Sequence, residues 1–391
     1  MHGISSGGRI GRPWAASVLG VLGVIAMTLV GFVVGGTPAF AARQVVASAI
    51  GLGKLPGLQE SIAVGVNAAG VVVGNSFNYE ASGAQATLWR PTPAGGYDVV
   101  DLGALIPGED SFANAIAANG VVAGSRESSA HSQAVIWKPD GRGGYTVQDL
   151  EGLPISGGVS NANAIAPDGV VVGSVGDGAT YTHAAAWFPR DGAAGYELVD
   201  LGTLPNPWAP VSYASGVNAV GLIVGSAYDS SYGIQAMIWR RAERGGFSMQ
   251  TLPRFSDGPN GYSGASGVNA SGVIVGSSAG HNVVWRPAGQ GTYRVTDIAT
   301  PAGSSGGGVT AISPTGVIVG RWDQSGGAIE RAASWRPDGH GGYAFIDVGT
   351  LRPDDVLAFA TAVSATGLVV GYSGANPWEV RGEATLWRLS Q

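Results

Sequence analysis

The chain has 391 residues, of which 12% are charged and 45% hydrophobic, with 66 glycines and no cysteine. Without cysteine there is no disulfide framework and no lipid-modified cysteine. Lysine stands only at positions 54 and 138, and no basic cluster exists, which argues against nucleic acid and anionic membrane as partners.

Residues 1–41 differ from the rest. Arg9 and Arg12 form a positive start, Ala15–Val34 is an apolar run of 20 residues, and Ala39-Phe-Ala41 is a small-x-small cleavage pattern. This arrangement reads as a secretory signal removed after Ala41, and the expected location is outside the cell. Retained, the same run is long enough to anchor the protein at the cell surface. Without it, 19 basic residues stand against 27 acidic ones, a balance of 19 − 27 = −8.

From residue 42 onward one pattern recurs. Gly65-Val-Asn-Ala-Ala-Gly-Val-Val-Val-Gly74 returns as Ala115–Gly124, Ala164–Gly173, Gly216–Gly225, Gly267–Gly276, Ala311–Gly320 and Ala362–Gly371. A tryptophan follows each: Trp89, Trp137, Trp187, Trp239, Trp285, Trp335 and Trp387. From the first tryptophan to the last, 387 − 89 = 298 residues make six intervals, a mean period near 50. A period of that length marks a stacked-repeat architecture.

Each period predicts four short strands. The first ends at Val-Asn or Ile-Ala, and a turn with glycine at its left-handed position leads to the β-branched Val71–Gly74. The third is Ala86–Arg90, and a Gly-Gly turn leads to the fourth, Tyr97–Leu102 and its copies. Four antiparallel strands cannot bury both faces alone and must stack on neighbours. The seventh unit stops at Trp387-Arg388 without a fourth strand. Leu52-Gly-Lys-Leu-Pro56, near the start, matches the fourth-strand ends Leu102–Pro107 and Leu201–Pro205. The expected fold is therefore all-β: a seven-bladed β-propeller over residues 42–391, with an N-terminal strand completing the last blade and closing the circle.

The seven repeated tryptophans read as inter-blade core, each ring worth about 4–6 kcal/mol gross on burial. Asp101, Asp149, Asp200, Asp297 and Asp347 share one fourth-strand position and read as turn caps. The loops from strand two to three, and from strand four to the next strand one, vary most and share one rim. Ten aromatics are assigned to them: Tyr79, Tyr181, Trp208, Tyr213, Tyr228, Tyr232, Tyr262, Trp322, Tyr372 and Trp378. Aromatic-rich variable loops suit a binding face for a glycan or a protein. The same aromatics suit a plug folded over the channel.

Enzyme signals are sparse. His131, His183 and His281 have no metal-ligand spacing, and no nucleophile elbow is present. Calcium candidates are Asp177, Asp229, Asp323 and Asp354-Asp355, none in an acid-rich loop of EF-hand type. Glu80, Glu109, Asp110, Asp257, Asp323, Asp354 and Glu379 are the acids available to a glycan-processing hydrolase or lyase. Three readings stay open: a binding or scaffold module, such an enzyme, and a structural surface protein without a ligand. No cofactor or metal is assigned, and a monomer is expected.

The string Val-Asn-x-x-Gly-x-Val-Val-Gly, then x-Ala-x-x-Trp, then Asp-Leu-Gly-x-Leu, over Val45 to Arg388, resembles the HAF family of bacterial extracellular repeats. That resemblance implies an exported repeat protein with no defined activity. The family's His-Ala-Phe-Leu-Trp motif carries Gln85, Gln133, His183, Gln235, His281, Arg331 and Glu383 at its first position here. The histidine therefore survives twice and the phenylalanine nowhere.

Overall fold

The computed structural model describes residues 48–389, apart from 79–82, 129–130, 153–157, 179, 191–194, 207–209, 232, 243–245, 257–260, 303, 305, 325–328 and 376–381. The leader expected at 1–41 therefore lies outside the described residues. Among them there is no helix, and none long and apolar enough to cross a membrane.

The strands are β1 (Ser48–Gly51), β2 (Glu60–Val66), β3 (Val72–Phe77), β4 (Gln85–Pro91), β5 (Tyr97–Asp101), β6 (Asp110–Ile116), β7 (Val122–Glu127), β8 (Ser132–Pro139) and β9 (Tyr145–Asp149). Then come β10 (Val159–Ile165), β11 (Val171–Gly176), β12 (Thr182–Pro189), β13 (Tyr196–Gly202), β14 (Ser212–Val217), β15 (Ile223–Tyr228), β16 (Ile234–Arg241), β17 (Phe247–Thr251), β18 (Ser263–Val268) and β19 (Ile274–Ser278). The remainder are β20 (His281–Gly289), β21 (Thr292–Asp297), β22 (Gly306–Ile312), β23 (Ile318–Gln324), β24 (Ile329–Pro337), β25 (Tyr343–Gly349), β26 (Leu357–Val363), β27 (Leu368–Gly374) and β28 (Glu383–Arg388).

Five antiparallel sheets take four consecutive strands each, from β2–β5 to β18–β21. The strands β22–β25 and β26–β28 follow the same order and share one sheet through a single parallel bridge, Glu330 to Leu357. The strand β1 pairs antiparallel with β28, Ala49 facing Trp387. Four-stranded antiparallel sheets packed in succession are the architecture of a β-propeller.

One local device repeats in every sheet. The first strand carries a bulge at Val64, Asn114, Asn163, Ser215, Ser266, Thr310 or Thr361, opposite the Val-Val-Gly strand. The bulge pushes a carbonyl of the first strand against the second-strand glycine. A Cβ on Gly173 would stand 1.8 Å from the Asn161 carbonyl oxygen, and one on Gly225 1.9 Å from that of Tyr213. No side chain fits there, so the terminal glycine of the motif is a steric necessity.

The tryptophans fill the gaps between sheets, as the repeat pattern predicts: all seven are fully buried. Five also donate their indole N–H backward to the end of the preceding fourth strand. Trp137 bonds Gly103 O at 3.0 Å, Trp187 bonds Glu151 O at 2.7 Å, Trp285 bonds Pro253 O at 2.7 Å and Trp335 bonds Ala299 O at 3.1 Å. Trp89 makes the same bond, at 3.2 Å, to Gly53 O just past β1. Leu52, Ala63, Trp89, Val370 and Leu386 share one buried cluster, joining the start of the described chain to its last strands.

The bulge residues add a second set of links. Asn114 donates to Ala162 O (2.9 Å), Asn163 to Ala214 O (3.0 Å), Thr310 to Ala360 O (2.7 Å) and Thr361 to Ala63 O (2.8 Å).

Candidate functional site

The first strands of all the repeats face a common cavity of about 340 Å³. The bulge residues and the small residues after them, such as Gly65, Ala115, Gly216 and Ala362, line it. At the end where the strand two-to-three and strand four-to-one loops emerge, the first-strand residue two before each bulge forms a collar. It reads Ile62, Phe112, Asn161, Tyr213, Gly264, Gly308 and Phe359 round the sheets, each paired with the residue after the second-strand glycine. Apolar collar members pack on one another, as Ile62, Val64, Phe359 and Tyr372 do.

The collar is interrupted at two adjacent sheets. A Cβ on Gly264 or Gly308 would meet nothing within 4 Å, so both positions border open space. The sheet of Gly264 also has the tightest strand two-to-three connection: β19 and β20 are joined by Ala279 (φ 52°) and Gly280 (φ 83°) alone. Two consecutive residues at positive φ make the two-residue hairpin whose twist matches its strands. The short turn leaves Ser277, Gly280, His281 and Asn282 on the cavity wall.

Next to this notch, β22 opens with Gly306-Gly307-Gly308, where five of the other first strands have a serine at the place of Gly307. The vacated space holds charge. Arg321, paired with Gly308, takes the place that serine or asparagine occupies in five of the other repeats, with tyrosine in the sixth, and lines the cavity. Asp323 is paired with Gly306 on one side and Glu330 on the other, so all three charged side chains share one face. A Cβ on Gly306 would lie 2.8 Å from Asp323 Oδ2. The glycines thus admit the triad.

Arg321 Nη1 is 3.5 Å from Glu330 Oε2, and its Nε is 3.9 Å from Asp323 Oδ1. The side chains are 20–27% exposed. Neither Arg321 Nε nor Asp323 Oδ1 has a hydrogen-bond partner among the described residues, although both atoms are buried. Burial raises the Asp323 carboxyl above its ordinary value against the pull of Arg321. Burial also raises Glu330, with Arg321 opposing and Asp323 adding to the rise. Of the three, Arg321 lines the cavity, and one guanidinium beside two half-buried carboxylates leaves donor and acceptor capacity unused. On the other flank, His281 Nδ1 lies 3.4 Å from Asp297 Oδ1, and its ring sits 4.8 Å from that of Phe255.

The described members of the ten assigned aromatics are spread over several sheets. Tyr79, Trp208, Tyr232 and Trp378 lie outside the described residues. Trp322 and Tyr372 are not loop residues: they belong to β23 and β27 and are buried at 8% exposure. The second strands continue beyond the Val-Val-Gly motif. In β23 the side chain after Arg321 turns inward, and Trp322 packs edge-on against Phe345 at 5.7 Å. Tyr372 stacks on Phe359 at 5.3 Å. Tyr181 lies 5.2 Å from His183, whereas Tyr213 and Tyr228 are strand and not loop residues, on β14 and at the end of β15, and Tyr213 hydrogen-bonds Thr182. Tyr262 stands apart, 56% exposed.

The acids sort similarly. Glu80, Asp257 and Glu379 lie outside the described residues, and Glu109 pairs with Arg126 at 2.7 Å. Asp110 accepts the Gly83 and Ala84 N–H groups at 2.8 and 3.0 Å. Asp177 and Asp229 cap their own turns through Thr180 and through Ser231 and Gly233. Among the described residues no three His, Asp or Glu side chains converge as metal ligands. Of the repeated aspartates, Asp101, Asp200 and Asp347 accept the N–H of the glycine two residues on, as turn caps do. Asp149 and Asp297 instead hold Arg126 and face His281.

No family model matches the sequence, and no curated protein matches it significantly. Among solved structures the chain is similar to puromycin hydrolase. A mutant complexed with PGG superposes with a TM-score of 0.53 at 17% identity, covering 80% of this chain and 50% of that one. A second puromycin hydrolase structure gives 0.52 at 16% over the same shares. The chain thus spans about half the length of that hydrolase. Virginiamycin B lyase from Staphylococcus aureus covers 89% of this chain and is itself fully covered, with a TM-score of 0.48 at 10% identity. At 16–17% identity the likeness to puromycin hydrolase concerns the propeller fold.

Proposed function

We propose that the protein is an exported seven-bladed propeller, closed by β1 as the fourth strand of the last blade, that binds a small polyhydroxylated ligand such as a glycan end at the notch in its collar. Closure is supported by links that treat the two chain ends as neighbours: β1 on β28, Trp89 on Gly53, and Thr361 on Ala63. Export is supported by the leader-like residues 1–41, and the HAF-like repeats agree with it.

The observation that carries the binding reading is the charged triad set into a glycine-opened gap in an otherwise filled collar. Arg321 offers a planar donor on the cavity wall, flanked by the carboxylates of Asp323 and Glu330, and Asn282 and His281 line the same cavity. Hydroxyl groups, which donate and accept, suit such a mixed set better than a bare anion, which two carboxylates repel. Trp322 lies next to Arg321 in sequence, so its fluorescence is a natural reporter. Titration with a panel of neutral and amino sugars is expected to give a saturable signal. The Arg321→Ala variant should bind about ten- to a hundredfold more weakly, the value of a charge-assisted hydrogen bond. A panel without any saturable response, or an unchanged affinity in that variant, overturns the reading.

A second reading, a glycan-processing hydrolase or lyase, draws on one observation: Asp323 and Glu330 face each other across β23 and β24, and both are raised in pKa. A carboxyl held protonated beside an ionised one is the arrangement of acid–base pairs. Product formation from a bound glycan, lost in Glu330→Gln while binding persists, would favour this reading over simple binding.

A further inference from the structure

A second cavity, of about 310 Å³, shares no lining residue with the first and lies where the two ends of the described chain meet. Its wall combines Lys54 from the segment after β1, Gly382 and Glu383 from the start of β28, and Arg352, Asp354 and Asp355 from the turn between β25 and β26. Glu383 stitches the parts together: Oε1 accepts the Gly53 N–H at 3.1 Å, and Oε2 accepts from the Arg352 guanidinium.

Asp355 is only 5% exposed. One of its oxygens, Oδ2, accepts the Ser373 hydroxyl at 2.6 Å and the Arg352 N–H at 3.2 Å. The other, Oδ1, is buried and has no partner among the described residues. A buried carboxylate oxygen without a donor is costly, and Asp355 is itself part of the cavity wall. Arg352 is engaged by Glu383, and Lys54 is exposed at the rim. Three carboxylates against two cations leave the cavity wall with one negative charge in excess.

We infer that this seam cavity is a binding site for a small molecule carrying a primary ammonium group, received by Asp355 Oδ1. A metal ion is the poorer occupant, since no three carboxylate or imidazole groups converge here or elsewhere among the described residues. An ammonium needs only one or two acceptors and supplies the N–H that the oxygen lacks. Because the cavity bridges both chain ends, its occupant stabilises the folded state by mass action.

The test uses the full chain at constant ionic strength, with ethanolamine as probe and choline as its control, which carries the same charge without an N–H. Ethanolamine is expected to raise the thermal midpoint saturably, and choline at equal concentration to leave it unchanged. In Asp355→Asn the ethanolamine dependence should shift to at least tenfold higher concentration. Should that variant lose its fold, Ala375→Leu, which fills the cavity from its edge, should abolish the ethanolamine response. Equal responses to ethanolamine and choline, a response to calcium chloride but not ethanolamine, no response to either, or an unchanged response in a folded variant each overturn the assignment. The arms are independent of sugar binding at the collar.

Discussion

At the scale of single residues, the glycines divide into those the fold requires and those that open a site. Gly173 belongs to the first kind, because a methyl group there collides with the bulged carbonyl of Asn161. Gly173→Ala is expected to cost about 3 kcal/mol, the upper end for overpacking, seen as a lowered denaturant midpoint. Gly264 belongs to the second kind. Its replacement by alanine meets no atom within 4 Å and should leave stability near the parent's while narrowing the notch. In sequence the two look alike. The periodic Val-Val-Gly was legible as a strand, but its glycine read as a strand end, because a bulge on the opposing strand leaves no mark in composition. The charged site was partly legible: comparing the repeats with one another shows Arg321 where five others have Ser or Asn, and a glycine triplet at 306–308. What sequence could not supply was that these two departures meet, since the pairing of Gly308 with Arg321 depends on the strand register.

At the scale of elements, the indole bonds bind successive sheets in one direction. Trp187→Phe keeps most of the buried ring and removes the N–H bond to Glu151 O, leaving that carbonyl without this donor. A loss of about 1 kcal/mol beyond the packing change is expected. Trp239 makes no such bond, its Nε1 being without a partner among the described residues. Trp239→Phe should therefore cost less than Trp187→Phe, and parallel unfolding curves check the ranking. The tryptophan period was legible because one apolar strand per repeat must face a neighbour. The length of the second strands was not, and this misplaced Tyr228, Trp322 and Tyr372 in loops. The edge of a strand also carries a pH effect. Glu127, the last residue of β7, is raised from its ordinary 4.5 to about 7, first by burial and then by Asp110 opposite. A carboxyl that binds its proton more tightly when folded stabilises the fold below pH 4.5. That contribution fades as pH rises through about 7. Glu127→Gln removes this dependence. Its stability relative to the parent should rise from pH 4.5 to 7.5 in paired melts, and a constant difference would count against the shift.

At the scale of the whole molecule, the proposed closure rests on interactions that recur between successive sheets and recur once more between the chain ends. The hydroxyl of the first-strand serine accepts a third-strand N–H of the sheet before it: Ser111 from Ala86, Ser160 from Ala134, Ser212 from Ala184. Ser61 does the same for Ala384, across 323 residues of chain. In several sheets the cation after the tryptophan meets an aromatic ring at the start of the next fourth strand, as Lys138 meets Tyr196, Arg240 meets Tyr293 and Arg286 meets Tyr343. Arg388 acts likewise on Tyr97. An N-terminal strand that closes a circle contributes by its place in space and not by its place in sequence. Beginning the chain at Gly57 should therefore remove the buried Leu52 and Leu55 and expose the edge of β28. The cost is about 5 kcal/mol from the two leucines and their neighbours, comparable with the whole net stability of a domain. A circular permutant that begins at Gly57 and carries residues 48–56 after Leu389, through a five-residue turn copied from Thr92–Gly96, puts β1 back beside β28 as an ordinary hairpin partner. It should recover the parent's midpoint in thermal unfolding. If the truncated chain matches the parent, or the permutant fails to regain what truncation lost, β1 is not the strand that completes the last blade.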